Sequence, residues 1–364
     1  MNNQNANQKD NGINSKNRFI EAVARKNPGR PPVWFMRQAG RYHGHYQKIR
    51  ARHSFMEMCK NPDLACEITF GPLDDFDFDA AILFSDLLFP LEALGMGLRY
   101  EPGPKLEWHL TDRALLSKLK LVAPVRDFMD FQAQALKKIR NRLIAENKNH
   151  KGLIGFVGGP WTLFCYAAQG SHVGDLSPSI AGLADGRYGG FLEHMVPLLT
   201  ENMQLQAQAG ADAVAIFDTC GGEVDATTFR EHVVPALSAV MAGFKVRCPD
   251  TPVIYYSKKT TPAHWRNLSG LPIAVLGVDW RHDLVDVVNE FGDRYAIQGN
   301  MDPDWLSEEP AEFEKKARAH LERIIQSGMA TKGWVSGLGH GCTPSSKETN
   351  VRRFVQLMAE YFSD

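Results

Sequence analysis

The sequence predicts an α/β fold, a single (β/α)8 TIM barrel with its active site at the C-terminal ends of the strands. Three observations predict it. Short apolar runs recur along the chain, amphipathic segments of helical length separate them, and nearly every run ends in a polar or glycine-rich cluster. The runs occupy residues 33–36, 80–84, 153–157, 211–217, 252–256, 273–278, 295–298 and 333–336. Mostly apolar and rich in Val, Ile, Phe and Tyr, they read as strands buried on both faces. Residues 125–146, 191–208 and 310–327 carry helical periodicity between them. Strand then helix, repeated about eight times, is the barrel pattern.

A doubly wound open sheet with a second domain is the competing architecture. No GxGxxG follows a strand, and no Gly/Ser/Pro-rich linker marks a boundary. Residues 17–364 are therefore read as one catalytic domain. Residues 1–16 are Asn/Gln-rich and lack an apolar stretch, so they read as a disordered polar leader and not a signal peptide.

Composition narrows the function classes. The formal net charge is −1, so no global field favours nucleic acid or an anionic membrane as partner. No apolar run approaches the ~20 residues needed to cross a bilayer. The cysteines Cys59, Cys66, Cys165, Cys220, Cys248 and Cys342 form no CxxC pair. In a chain of this length they read as reduced thiols of a cytoplasmic protein.

In a barrel the carboxyl ends of all strands converge on one face, so clusters distant in sequence become one ring of chemistry. Arg37 and Arg41 bracket Gln38, Ala39 and Gly40 directly after the first run. Two always-charged forks aimed into one cavity suit carboxylates or phosphates, and the small residues between them let backbone N–H groups approach a ligand. Arg50 is a third candidate. These residues alone indicate a polyanionic ligand.

Asp86 ends the run at 80–84. A carboxylate there is costly to bury unless it meets cations or several donors. It can bind a metal, act as a base, or accept hydrogen bonds from ligand N–H groups. Asp74, Asp75, Asp77 and Asp79 precede the run and belong at the opposite end of the barrel, which favours a lone anion facing N–H donors. His340, between Gly339 and Gly341, can bind a carboxylate or move a proton. Tyr166 and Thr219 offer hydroxyls, while Ser257, Lys258 and Lys259 read as ordinary loop polarity. No Ser-His-Asp pattern, P-loop or HExxH is present. Cys220, His340 and Cys342 are conceivable as a zinc set.

Together these residues resemble the uroporphyrinogen decarboxylase family. PVWFMRQAGRY at 32–42 and GFVGGPWTL at 155–163 are similar to its two signatures. AAILFSD at 80–86, QGNMDP at 298–303 and LGHG at 338–341 follow in the family's order, and the resemblance begins near Asn17. It implies a cofactor-free and metal-free homodimeric barrel of porphyrin and heme biosynthesis. Such an enzyme removes the four acetate carboxyls of uroporphyrinogen III to give coproporphyrinogen III. It further implies substrate binding by the turn Arg37, Gln38, Ala39, Gly40 and Arg41 together with Arg50, Asp86, Tyr166, Thr219 and His340. Catalysis falls to Asp86, with Arg37 or His340 handling the proton.

The departures are local. His43-Gly44-His45 replaces the usual Leu-Pro-Glu and is expected near the mouth. The loop after Asp86 is shorter than usual, Asp218-Thr219-Cys220 modifies a third motif, and Cys342-Thr343 follows Gly341. Two rival readings are a zinc-dependent methyltransferase on the same superfamily barrel and a non-catalytic tetrapyrrole-binding homologue.

Overall fold

A computed structural model describes residues 17–26 and 29–362, so the leader at 1–16 lies outside the described residues. Seven strands form one sheet: β1 (Ala80–Ile82), β2 (Gly152–Gly158), β3 (Ala213–Phe217), β4 (Val253–Tyr256), β5 (Val275–Gly277), β6 (Ala296–Met301) and β7 (Trp334–Leu338). Their order in the sheet is their order in the chain, and every neighbouring pair is parallel. All residues of these strands are buried, which explains why the sequence shows continuous apolar runs and no alternation.

The first run, 33–36, makes a single bridge instead of a ladder. Val33 pairs in parallel with Ser336 of β7, with Ser336 N donating to Pro32 O at 2.8 Å and Trp34 N to Ser336 O at 3.2 Å. On the other side Asp79 N donates to Val33 O at 2.8 Å. Residues 32–34 thus span the two edge strands β1 and β7. Two features keep this segment short. Pro31 and Pro32 have no N–H to contribute, and Arg37 takes φ +61°, which turns the chain out of the extended region.

Asp79 fastens this segment from below. Its Oδ2 accepts from Val33 N at 2.8 Å and its Oδ1 from Arg30 Nη2 at 2.8 Å, with Arg18 Nη1 3.6 Å away. Its place before β1 is the end of the sheet opposite Asp86, as the chain order implies.

Helices occupy the connections. Pro310–Ser327 has the expected bounds, 125–146 divides into Val125–Phe128 and Asp130–Ala145, and 191–208 extends to Arg187–Gln208. None of the described helices is long and apolar enough to cross a membrane. A two-residue hairpin pairing Arg99–Tyr100 with Pro104–Lys105 follows β1. Strands that short have no periodicity to detect.

Candidate active site

The turn after residue 36 is built from within. Gln38 is buried, and its amide is committed to the backbone: Oε1 accepts from Phe35 N at 3.2 Å and Nε2 donates to Ala80 O at 3.1 Å. Tyr42 Oη donates to Gln38 O at 2.8 Å. The Gln38 side chain thus ties the turn to β1. A Cβ on Gly40 would stand 2.9 Å from Arg37 O, so only glycine fits this chain reversal. The N–H groups of Ala39, Gly40 and Arg41 make no hydrogen bond among the described residues, so the turn presents free donors of the kind anions occupy.

The turn docks on the loop after β7. Cys342 N donates to Met36 O at 2.9 Å, and a Cβ on Gly341 would lie 2.5 Å from Arg37 Cδ. Gly341 therefore leaves the groove through which the Arg37 stem runs. Arg37, Arg41 and Arg50 are exposed, and their guanidinium groups have no ion pair among the described residues. Arg41 and Arg50 flank Tyr46. Elsewhere arginines find partners, as Arg140 does with Asp212 at 2.6 Å and Arg353 with Glu314 at 2.7 Å. Three unpaired forks near one turn are a feature to be explained.

Asp86 projects from the loop after β1, and its Oδ1 accepts from Leu88 N at 2.9 Å. Burial raises its pKa, opposed by the neighbouring Tyr100 hydroxyl, the Leu88 N–H and the Arg37 charge. Burial, then the Asp86 carboxylate, raise the pKa of the Tyr100 phenol in turn. Next to Asp86, Ser85 Oγ accepts from Gln132 Nε2 at 2.9 Å, which fixes the loop.

Tyr166 lies on the helix Pro160–Gln169, which starts at the end of β2. Its Oη is 2.5 Å from His172 Nδ1. Burial, then Asp86 and Cys220, raise its pKa, which keeps the phenol protonated. Thr219 is half-buried after β3, where the loop is held by two contacts. Asp218 Oδ1 accepts from Thr162 Oγ1 at 2.6 Å, and Trp161 Nε1 donates to Cys220 O at 3.1 Å.

His340 follows β7 and stacks on Tyr256 at 6.0 Å and Trp280 at 6.4 Å. Burial, then the charges of Arg37 and Lys258, push its pKa down to about 3, so the imidazole is neutral in the free protein. Tyr256 Oη donates to Gly339 O at 2.8 Å and lies 3.2 Å from His340 Nδ1. With the phenol proton committed to Gly339, the second contact requires Nδ1–H on His340, leaving Nε2 as the lone-pair edge.

Arg37 thus acts electrostatically on Asp86, Tyr166, Tyr256, His172 and His340, which places these strand-end residues around one space. Tyr100, His172, Tyr256 and Lys258 were not singled out by sequence reasoning. Tyr256 ends an apolar run, and the logic that selected Asp86 would have selected it.

Two expectations are corrected. His43 is wholly buried and bonds Asp75 at 2.7 Å, while His45 packs against Gly71. Both therefore pack against the helix Pro62–Phe76, whose C-terminal end precedes β1, and do not lie at the mouth. The zinc set also does not assemble. Cys220 Sγ contacts His172 O at 3.9 Å, Cys342 packs against Tyr42, and no three metal-ligating side chains are grouped among the described residues.

A parallel α/β sheet whose strand ends surround one half-buried carboxylate with unpaired arginines and neutral hydroxyl and imidazole groups defines an enzyme of the barrel class acting on a polyanion. A model of the family "Uroporphyrinogen decarboxylase (URO-D)" matches residues 14–361. A uroporphyrinogen decarboxylase of Trichlorobacter lovleyi is 34% identical over 350 residues, covering 94% of this chain and 98% of that one. Its counterpart in Pelobacter propionicus is 35% identical over 345 residues, with 94% and 97% covered. The chain belongs to the uroporphyrinogen decarboxylase family.

Among solved structures, a methyltransferase from Methanosarcina mazei aligns with a TM-score of 0.74 at 15% identity, covering 95% of this chain and 98% of that one. A putative vitamin-B12-independent methionine synthase from Listeria monocytogenes aligns with a TM-score of 0.53 at 13% identity, covering 92% and 97%. At such identities the likeness concerns the fold alone.

Proposed function

We propose that the chain decarboxylates uroporphyrinogen III to coproporphyrinogen III in porphyrin and heme biosynthesis, acting in the cytoplasm as a homodimer without metal or cofactor. The observation that carries this reading is charge placement: Arg37, Arg41 and Arg50 stand unpaired among the described residues, and Arg37 acts on the secluded Asp86 carboxylate. The substrate has the inverse arrangement, eight carboxylates around a ring of pyrrole N–H groups. Rim arginines grip carboxylates through bidentate forks, helped by the free N–H groups of the turn and by the hydroxyls of Tyr166 and Thr219. Asp86 accepts from the central N–H groups.

The chemistry follows from that fit. Protonation of a pyrrole carbon gives a cation that accepts the electrons released as an acetate loses carbon dioxide. Asp86 stabilises that cation, being an anion fixed in a poorly solvated place before the reaction begins. The methylene left behind takes a proton and becomes a methyl group while the pyrrole carbon gives up the proton it first received, so each cycle consumes one proton net and releases one carbon dioxide. Arg37 is assigned to proton delivery, directly or through the substrate carboxyl it holds, with His340 as the alternative. The neutral His340 meets a carboxylate only after taking up a proton or turning its N–H edge, which the substrate's own charge promotes.

Anaerobic incubation with uroporphyrinogen, followed by oxidation and chromatography of the porphyrins, tests the reading. Stepwise loss of carboxyls down to four is expected; unchanged octacarboxylate overturns it.

A further inference from the structure

The loop Gly170–Asp175 brings His172 onto Tyr166, and nothing in the signature motifs anticipates this residue. The rings are 5.3 Å apart and His172 Nδ1 is 2.5 Å from Tyr166 Oη. The loop is fixed in place: Gln169 Nε2 donates to Asp175 O at 2.9 Å, Val173 N to Ser171 Oγ at 3.1 Å, and Cys220 Sγ contacts His172 O at 3.9 Å. Gly170 and Gly174 have φ of 74° and 86°, values that let so tight a loop form.

We propose that His172 is a positioning residue for Tyr166: its Nδ1–H donates to Tyr166 Oη and thereby aims the phenol proton at a substrate carboxylate. The inference rests on the function proposed above and deepens it. A phenol has one proton. If His172 accepted it, Tyr166 would present only lone pairs to a polyanionic substrate and would repel it. With Nδ1–H as the donor, the hydroxyl proton is free for the ligand. Burial and the charges of Arg37 and Lys258, opposed by Glu223, lower the His172 pKa, so the imidazole is neutral and its single N–H can be committed to Nδ1. His172 in turn acts electrostatically on His340. Tyr166 itself stays a phenol, as donation requires.

The test compares steady-state kinetics of the full chain and four variants under anaerobic conditions, with melting temperatures measured alongside. His172→Phe keeps a ring but has no donor, and should raise KM for uroporphyrinogen about tenfold with kcat little changed, the effect of one lost hydrogen bond present equally in ground and transition states. His172→Asn, whose amide N–H takes the place of Nδ1–H, should recover most of that loss. Tyr166→Phe and the double variant Tyr166→Phe/His172→Phe should have the same KM, because His172 acts only through the phenol. An unaltered KM in His172→Phe, failure of His172→Asn to recover it, or an additive double variant overturns the proposal. A wild-type chain that removes no carboxyl overturns the underlying function instead, which separates the two failures.

Discussion

The Arg37 side chain runs across Gly341, with the place of a methyl carbon on that glycine only 2.5 Å from Arg37 Cδ. The contact joins the turn after the first apolar run to the loop after β7. Gly341→Ala should displace the guanidinium without disturbing the strands. Misplacement on the order of 1 Å can cost about a hundredfold, so kcat/KM should fall roughly 10- to 100-fold. Wild-type kinetics in that variant, at an unchanged melting temperature, would show that Arg37 does not need this path.

Asp86→Asn preserves the acceptor for Leu88 N but removes the charge. Losing a preorganised electrostatic partner of the transition state should lower kcat by about 10²-fold, with folding retained. The anaerobic porphyrin assay with a circular-dichroism control reads this directly. Near-full activity in a folded variant would mean abandoning the central-anion role.

Asp79 serves stability at the far end of the sheet. Asp79→Ala leaves Arg30 and the Val33 N–H without their acceptor. Breaking a buried pair by removing one partner costs roughly 3–5 kcal/mol, and here the partial exposure of Arg18 puts the expectation near about 3 kcal/mol. Urea unfolding measures it; a loss below about 1 kcal/mol would show that the segment 32–34 is held by β7 alone.

His320 predicts an acid weakness. It lies between Trp305 and Trp334, its Nε2 is buried without a partner, and burial pushes its pKa down to about 4, slightly opposed by Asp283. Because the folded pKa is below the unfolded value, the unfolded chain binds more protons between those two values. Stability from neutral His320 is full above about pH 6.5 and is lost as pH falls toward 4. His320→Phe should therefore lose less stability than wild type between pH 7.5 and 5, by on the order of 1 kcal/mol. Parallel denaturation curves at the two pH values would refute this.

Strand ends were the legible part of the site. Arg37, Asp86, Thr219 and His340 follow apolar runs, and Tyr166 is on the helix after one, so their convergence follows from topology once the parallel sheet is inferred. His172 and Tyr100 come from a loop and a two-residue hairpin whose paths depend on tertiary contacts, and no period marks them, whereas Lys258 follows an apolar run and looks like ordinary loop polarity. The run at 33–36 shows a different limit: apolar character reports burial, and two prolines with a left-handed Arg37 decided against a ladder. His43 and His45 are close to Arg41 in sequence, but their side chains turn away from the strand ends. The helix Gly44–Arg50 instead carries the chain onto Pro62–Phe76. Gln38 has the residue type of a ligand contact and the hydrogen bonds of a structural brace.

The bridge between Val33 and Ser336 and the seating of Arg37 over Gly341 have a consequence during synthesis on the ribosome. The turn that carries Arg37 and Arg41 leaves early, but the loop after β7 on which it docks emerges near the end. Until then Arg37 lacks the glycine groove over which its stem runs, so a truncation before β7 should leave the turn without its seat.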